Sequence, residues 1–139
     1  MFRVNYAAGM MLALIAMLAA PSAFALTPDE VLASFRKEAS AASGFQEFSA
    51  PRGEAFFKAR HGGDWSCSSC HHDNPALVGK HAKTNKEIKP LAPAANPERF
   101  TDMAKVEKWF KRNCRDVLNR ACTAQEKGDV LAYLLAVRK

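Results

Sequence analysis

The sequence predicts an all-α fold, on three observations. Apolar residues recur at helical spacing in four separate stretches, with helix-start signals ahead of several of them. No stretch alternates apolar and polar residues in the manner of a half-buried strand, and no internal repeat is present. The chain is also short: 139 residues, 48% hydrophobic and 24% charged, enough for one ordinary domain. Four short helices leave a thin core at this length unless something other than side chains fills part of the interior.

The elements follow in order. Residues 1–25 hold a single charge, Arg3, then an apolar run from Ala7 to Ala20, then Pro21 and Ala23-Phe24-Ala25. This pattern reads as a secretory signal cleaved before Leu26, leaving residues 26–139 as a single domain with a periplasmic location. No later segment approaches the roughly 18 apolar residues of a membrane span. Thr27 is the expected N-cap of a first helix, with Pro28 at its first position, Asp29 and Glu30 in its first turn, and Val31, Leu32 and Phe35 on one face. A second helix is expected around Arg52–Arg60, carrying Phe56 and Phe57 and ending at Gly62-Gly63. From Asn74 to Pro97 the chain has four prolines, spaced lysines and little periodicity, a length that implies wrapping around something large. A third helix starts at Thr101-Asp102, with Thr101 as its N-cap, and carries Val106, Trp109 and Phe110. A fourth starts at the capping box Thr123-Ala-Gln-Glu126 and presents Val130, Leu131, Leu134 and Leu135. The count is four to five short helices.

The segment Trp65-Ser66-Cys67-Ser68-Ser69-Cys70-His71 supplies the missing interior. C-x-x-C-H is the attachment sequence of a c-type haem. Its spacing lets two thiols form thioethers to the two vinyl groups while the next residue brings an imidazole to the iron. Cys67 and Cys70 are the expected covalent anchors of one haem c, and His71 its proximal ligand. A thioredoxin-like pair requires a βαβ context that is absent. A zinc site requires a second ligand pair at similar spacing, whereas Cys114 and Cys122 stand eight apart. A Cys67–Cys70 disulfide leaves His71 without a role.

The flanks resemble class I cytochromes c, in which a glycine and an aromatic of the N-terminal helix pack on an aromatic of the C-terminal helix. Gly53 and Phe57 precede the attachment site here, and Val130 and Tyr133 lie on the last helix. The sixth ligand is open at this point. Met103 is the one methionine outside the leader, but it falls in the first turn of a helix. His61 and His81 are the other candidates, while His72 adjoins the proximal ligand. Cys114 and Cys122 on one continuous helix would lie about 12 Å apart, beyond the roughly 4.4–6.8 Å that a disulfide spans. If they pair, the chain turns back between them, and the Thr123 cap supports a break there.

A more specific resemblance covers nearly the whole domain. The WSCxxCH site, Pro90–Phe100, Lys105-Val-Glu-Lys-Trp-Phe110, Arg112-Asn113-Cys114, Cys122 and Glu126–Val130 resemble the SHP (sphaeroides haem protein) type of oxygen-binding class I cytochrome c. The resemblance implies that Asn113 is the distal ligand of the oxidised state and that Cys114 and Cys122 form a disulfide. It further implies electron donors of two kinds, a dihaem cytochrome c and a membrane b-type cytochrome. A carboxamide is a hard, weak ligand suited to ferric iron and poorly suited to ferrous. Reduction is therefore expected to release Asn113 and open the site to O2, NO or CO. A simple electron-transfer cytochrome with a permanent Met or His sixth ligand is the alternative. Either reading favours a redox or gas-binding haem protein over a dedicated enzyme and leaves O2, NO or peroxide chemistry open. The net charge is +6, and Lys80, Lys83, Lys86 and Lys89 recur every three residues. That run is a solvated face or a docking surface for an acidic redox partner, and export argues against nucleic acid.

Overall fold

A computed structural model describes residues 25–138, together with Met1. The expected leader lies outside the described residues. The elements, in order, are α1 (Pro28–Ser40), α2 (Ala50–Lys58), α3 (Ser68–His71), β1 (Gly79–Lys80), β2 (Glu87–Ile88), α4 (Met103–Leu118) and α5 (Ala124–Ala136). The fold is mostly helical, as expected. The two short strands pair antiparallel, Gly79 with Ile88 and Lys80 with Glu87, and close a hairpin too brief to show alternation in the sequence.

Local chemistry sets the helix ends. Thr27 and Thr123 each accept from the third helical N–H, while Glu30 and Glu126 reach back to the cap N–H, so α1 and α5 both start on capping boxes. Two expected boundaries need correction. Helix α2 begins at Ala50, earlier than Arg52, because the Ser49 hydroxyl accepts from the Arg52 N–H and Pro51 suits the first turn; it stops at Lys58. Helix α4 is capped by Asp102 rather than Thr101: the Asp102 carboxylate accepts from the Lys105 N–H at 3.0 Å, while the Thr101 hydroxyl donates to the Glu98 carbonyl. That helix also continues past Asn113 to Leu118, where Asn119 takes the left-handed cap conformation at φ 56°. Asn113 therefore sits inside this helix, five residues before its last residue, Leu118.

Helix α5 is the centre of the core. Its Leu131 packs with Val31, Phe35 and Val106, and its Val130, Tyr133 and Leu134 pack with Phe57. Helices α2 and α5 cross so closely that a β-carbon on Gly53 would overlap the Asp129 carbonyl, which only glycine avoids. Two buried charges on α5 accompany this packing. Asp129 accepts from the Ser49 N–H at 2.7 Å and from two Arg52 guanidinium nitrogens at 2.9 Å each, locking α2 to α5. Lys127 bridges Glu107 of α4 at 3.0 Å and Glu38 of α1 at 3.3 Å, with its ammonium 4.8 Å from the centre of the Phe35 ring. Among the described residues, no helix is long and apolar enough to cross a membrane.

The proline-rich stretch is more ordered than its composition suggests. The Leu91 and Ala92 N–H groups both donate to the Pro75 carbonyl. The Arg99 guanidinium donates to the Pro90 and Lys89 carbonyls.

Candidate haem site

The attachment motif forms a single tight turn. The Ser66 hydroxyl, buried, lies 2.9 and 3.0 Å from the hydroxyls of Ser68 and Ser69. The Cys70 and His71 N–H groups both donate to the Cys67 carbonyl, at 3.2 and 3.1 Å. This turn is α3, and both of its thiols are free. Cys67 packs against the Phe57, Val130, Tyr133 and Leu134 cluster, and burial pushes its thiol up to about 11. Cys70 faces the hairpin instead: its sulfur accepts from the Ala82 N–H at 3.3 Å. A β-carbon on Gly79 would overlap the Cys70 carbonyl, so glycine lets the first strand lie against the turn.

His71 sits over the core, its ring centre 6.3 Å from that of Phe57. Burial, with a smaller contribution from the Arg99 charge, pushes its imidazole down to about 4. A neutral imidazole keeps a lone pair for a metal. The loop after His71 is tied to α5, because the Tyr133 hydroxyl donates to the Asp73 carbonyl at 3.1 Å. Two free thiols three residues apart, followed by a neutral imidazole beside an aromatic cluster, fit a covalently attached haem. Among the described residues, no group of three or more His, Cys, Asp or Glu side chains is placed to hold a metal ion.

The second cysteine pair is a disulfide. Cys114 and Cys122 have Cα atoms 5.6 Å apart, because α4 stops at Leu118 and the chain turns back before Thr123. Asn113 is exposed on α4 immediately before this bridge. The other candidate ligands are occupied in the fold. Met103 packs against the Val31, Phe35, Val106 and Leu131 cluster. The His61 Nε2 lies 2.8 Å from the Phe56 carbonyl and its ring packs on Phe56, while the His81 Nδ1 accepts from the Lys83 and Thr84 N–H groups.

The structure brings the three motif side chains together on one turn, and Phe57 and Tyr133 stand beside them. The contacts of Ala82 and Arg99 carry no sequence signature, since they are made through backbone groups and long-range packing. Gly79, isolated between Val78 and Lys80, is the one such signal a reader could have taken as a close backbone approach.

Fold and site together define a small c-type cytochrome. Comparison with known proteins agrees. A family model described as a domain of unknown function, DUF1924, matches residues 43–134. The cytochrome c-type protein SHP of Cereibacter sphaeroides is 42% identical over 130 residues, spanning 90% of this chain and 96% of that one. Cytochrome c'' of Methylophilus methylotrophus is 49% identical over 83 residues, 60% of this chain and 58% of the Methylophilus protein. Among solved structures, oxidised SHP, an oxygen-binding cytochrome c, aligns with a TM-score of 0.71 at 41% identity, covering 81% of this chain and 98% of the other. Oxidised cytochrome c'' from M. methylotrophus aligns with a TM-score of 0.70 at 39% identity, covering 81% and 95%. The chain belongs to the DUF1924 family, as a homologue of the SHP cytochromes. Like these c-type cytochromes, it carries a covalently bound haem c.

Proposed function

We propose that this chain is an exported, periplasmic monohaem cytochrome that accepts an electron and then exposes a binding site for O2, NO or CO. Cys67 and Cys70 are the thioether anchors, His71 is the proximal ligand, and Asn113 is a distal ligand held in the oxidised state and released on reduction. The haem supplies a single redox-active iron that takes diatomic gases in its ferrous form.

The observation that carries this reading is the state of Asn113. Among the described residues its carboxamide has no hydrogen-bond partner, and it is exposed on a helix whose next residue is fixed by the disulfide. Met103, by contrast, packs into the core, and His61 and His81 each commit a ring nitrogen to the backbone. The carboxamide oxygen is a hard donor that prefers ferric iron. Once released, the same group can turn an N–H toward a bound diatomic and stabilise it by hydrogen bonding. The relatives point the same way. SHP is an oxygen-binding cytochrome c, and the solution structure of cytochrome c'' bears on the structural basis of haem-ligand detachment.

Replacing the ligand tests the assignment. Asn113→Ala is expected to convert the low-spin ferric haem to high spin, with the far-ultraviolet circular dichroism of the helices preserved. A variant that remains low spin would remove Asn113 from the iron and return the position to Met103 or a histidine.

A further inference from the structure

Two exposed surfaces of this molecule are strongly basic. One is helix α4, with Lys105, Lys108, Lys111, Arg112 and Arg115 exposed. The other is the β1–β2 hairpin and its flanks, where Lys80, Lys83, Lys86 and Lys89 are exposed with Glu87 as the one acid between them. The two differ in what lies beneath. The hairpin rests directly on the attachment turn, through the Ala82 N–H on the Cys70 sulfur and through Gly79 against the Cys70 carbonyl. Its Lys83 ammonium stands 4.6 Å from the centre of the Trp65 ring, two residues before Cys67. Leu77 and Val78, the two residues before β1, are 54% and 48% exposed, an apolar patch beside the lysines.

We propose that this hairpin is the surface on which a one-electron donor docks, through a face of that protein bearing Asp and Glu carboxylates. The inference rests on the haem and on electron acceptance, and not on the assignment of Asn113. Charge complementarity names the occupant: four lysines against one glutamate attract an acidic face and steer it to productive encounter. The exposed Leu77 and Val78 give that encounter an apolar contact from which water is expelled. Proximity gives the reason to dock there, since the hairpin backbone touches the sulfur of Cys70. In the transfer itself one electron leaves the reduced donor and is taken up by the haem site, so the donor's oxidation balances the cytochrome's reduction; release of a distal ligand follows the transfer and is not part of it.

Charge-matched variants of the holoprotein separate the two basic surfaces, with flavodoxin hydroquinone as the acidic one-electron donor. Lys80→Glu with Lys86→Glu reverses the hairpin while sparing Lys83 on Trp65 and Lys89, which is 3.9 Å from Glu98. Lys105→Glu with Lys108→Glu reverses α4 by the same amount. At low ionic strength the hairpin variant should be reduced roughly 10-fold more slowly than the parent, a difference that closes at high salt. The α4 variant should change less than 2-fold. Titrating oxidised flavodoxin into the oxidised cytochrome should shift amide resonances of residues 77–89 ahead of those of α4. Equal slowing by both variants, a larger effect of the α4 variant, or resonance shifts centred on α4 would overturn the proposal. CO uptake by the reduced hairpin variant should equal that of the parent, which separates this result from any failure of the gas-binding reading.

Discussion

Asn113 and Met103 lie ten residues apart on the same helix, and their surroundings differ. Met103 is partly buried against Val31, Phe35, Val106 and Leu131, so its thioether is spent on packing. Asn113 is exposed and its amide is unpaired among the described residues. Met103→Leu is close to volume-conserving and should cost less than about 1.5 kcal/mol. It should leave the haem absorption spectrum unaltered in both oxidation states. A spectral change on this substitution would place sulfur on the iron. The motif residues were legible in the sequence because covalent attachment demands fixed spacing. Asn113 is singled out only through resemblance, since an isolated asparagine in a helix has no signature of its own. The left-handed residue that caps α4 is Asn119.

At the scale of elements, the ends of α5 and α1 were readable because capping boxes are local chemistry. The start of α2 was misplaced because Ser49 and Pro51 act before the first apolar residue of the stripe. The long-range charges were not readable at all: Lys127 and Asp129 fall on the buried face of α5, and their partners lie on α1, α2 and α4. The cap of α5 yields a pH prediction. The Glu126 carboxyl is held below its usual range chiefly by the Arg120 guanidinium, at 2.6 and 2.8 Å, and further by the Thr123 cap. A depressed folded-state value stabilises the fold above the ordinary carboxylate pKa, and that contribution is lost as pH falls through the folded value. Glu126→Gln should therefore melt lower than the parent at pH 7, by roughly 1 kcal/mol on the scale of a helix cap. The two melting curves should converge at acid pH, once the pH lies below the depressed pKa of Glu126 and the parent carboxyl is protonated. Melting temperatures separated by the same amount at every pH would contradict this account of the cap.

For the whole molecule, a short helical chain is organised around one helix and one turn. Helix α5 receives Phe35 and Val31 on one side and Phe57 on the other, and the attachment turn adds Cys67 to the second cluster. The disulfide fixes where α4 ends relative to the start of α5, next to Asn113. The basic hairpin stands on the Cys70 side of the same turn. The two proposals put electron entry and gas binding on different elements of one small domain. The central claim is that reduction opens this site, and absorption spectra of the holoprotein test it most directly, recorded oxidised and then dithionite-reduced, before and after CO. The account predicts a low-spin ferric spectrum without a methionine–iron charge-transfer band, high spin on reduction, and a shift on adding CO. Low-spin spectra in both oxidation states with no response to CO would contradict it and make the protein a simple electron carrier.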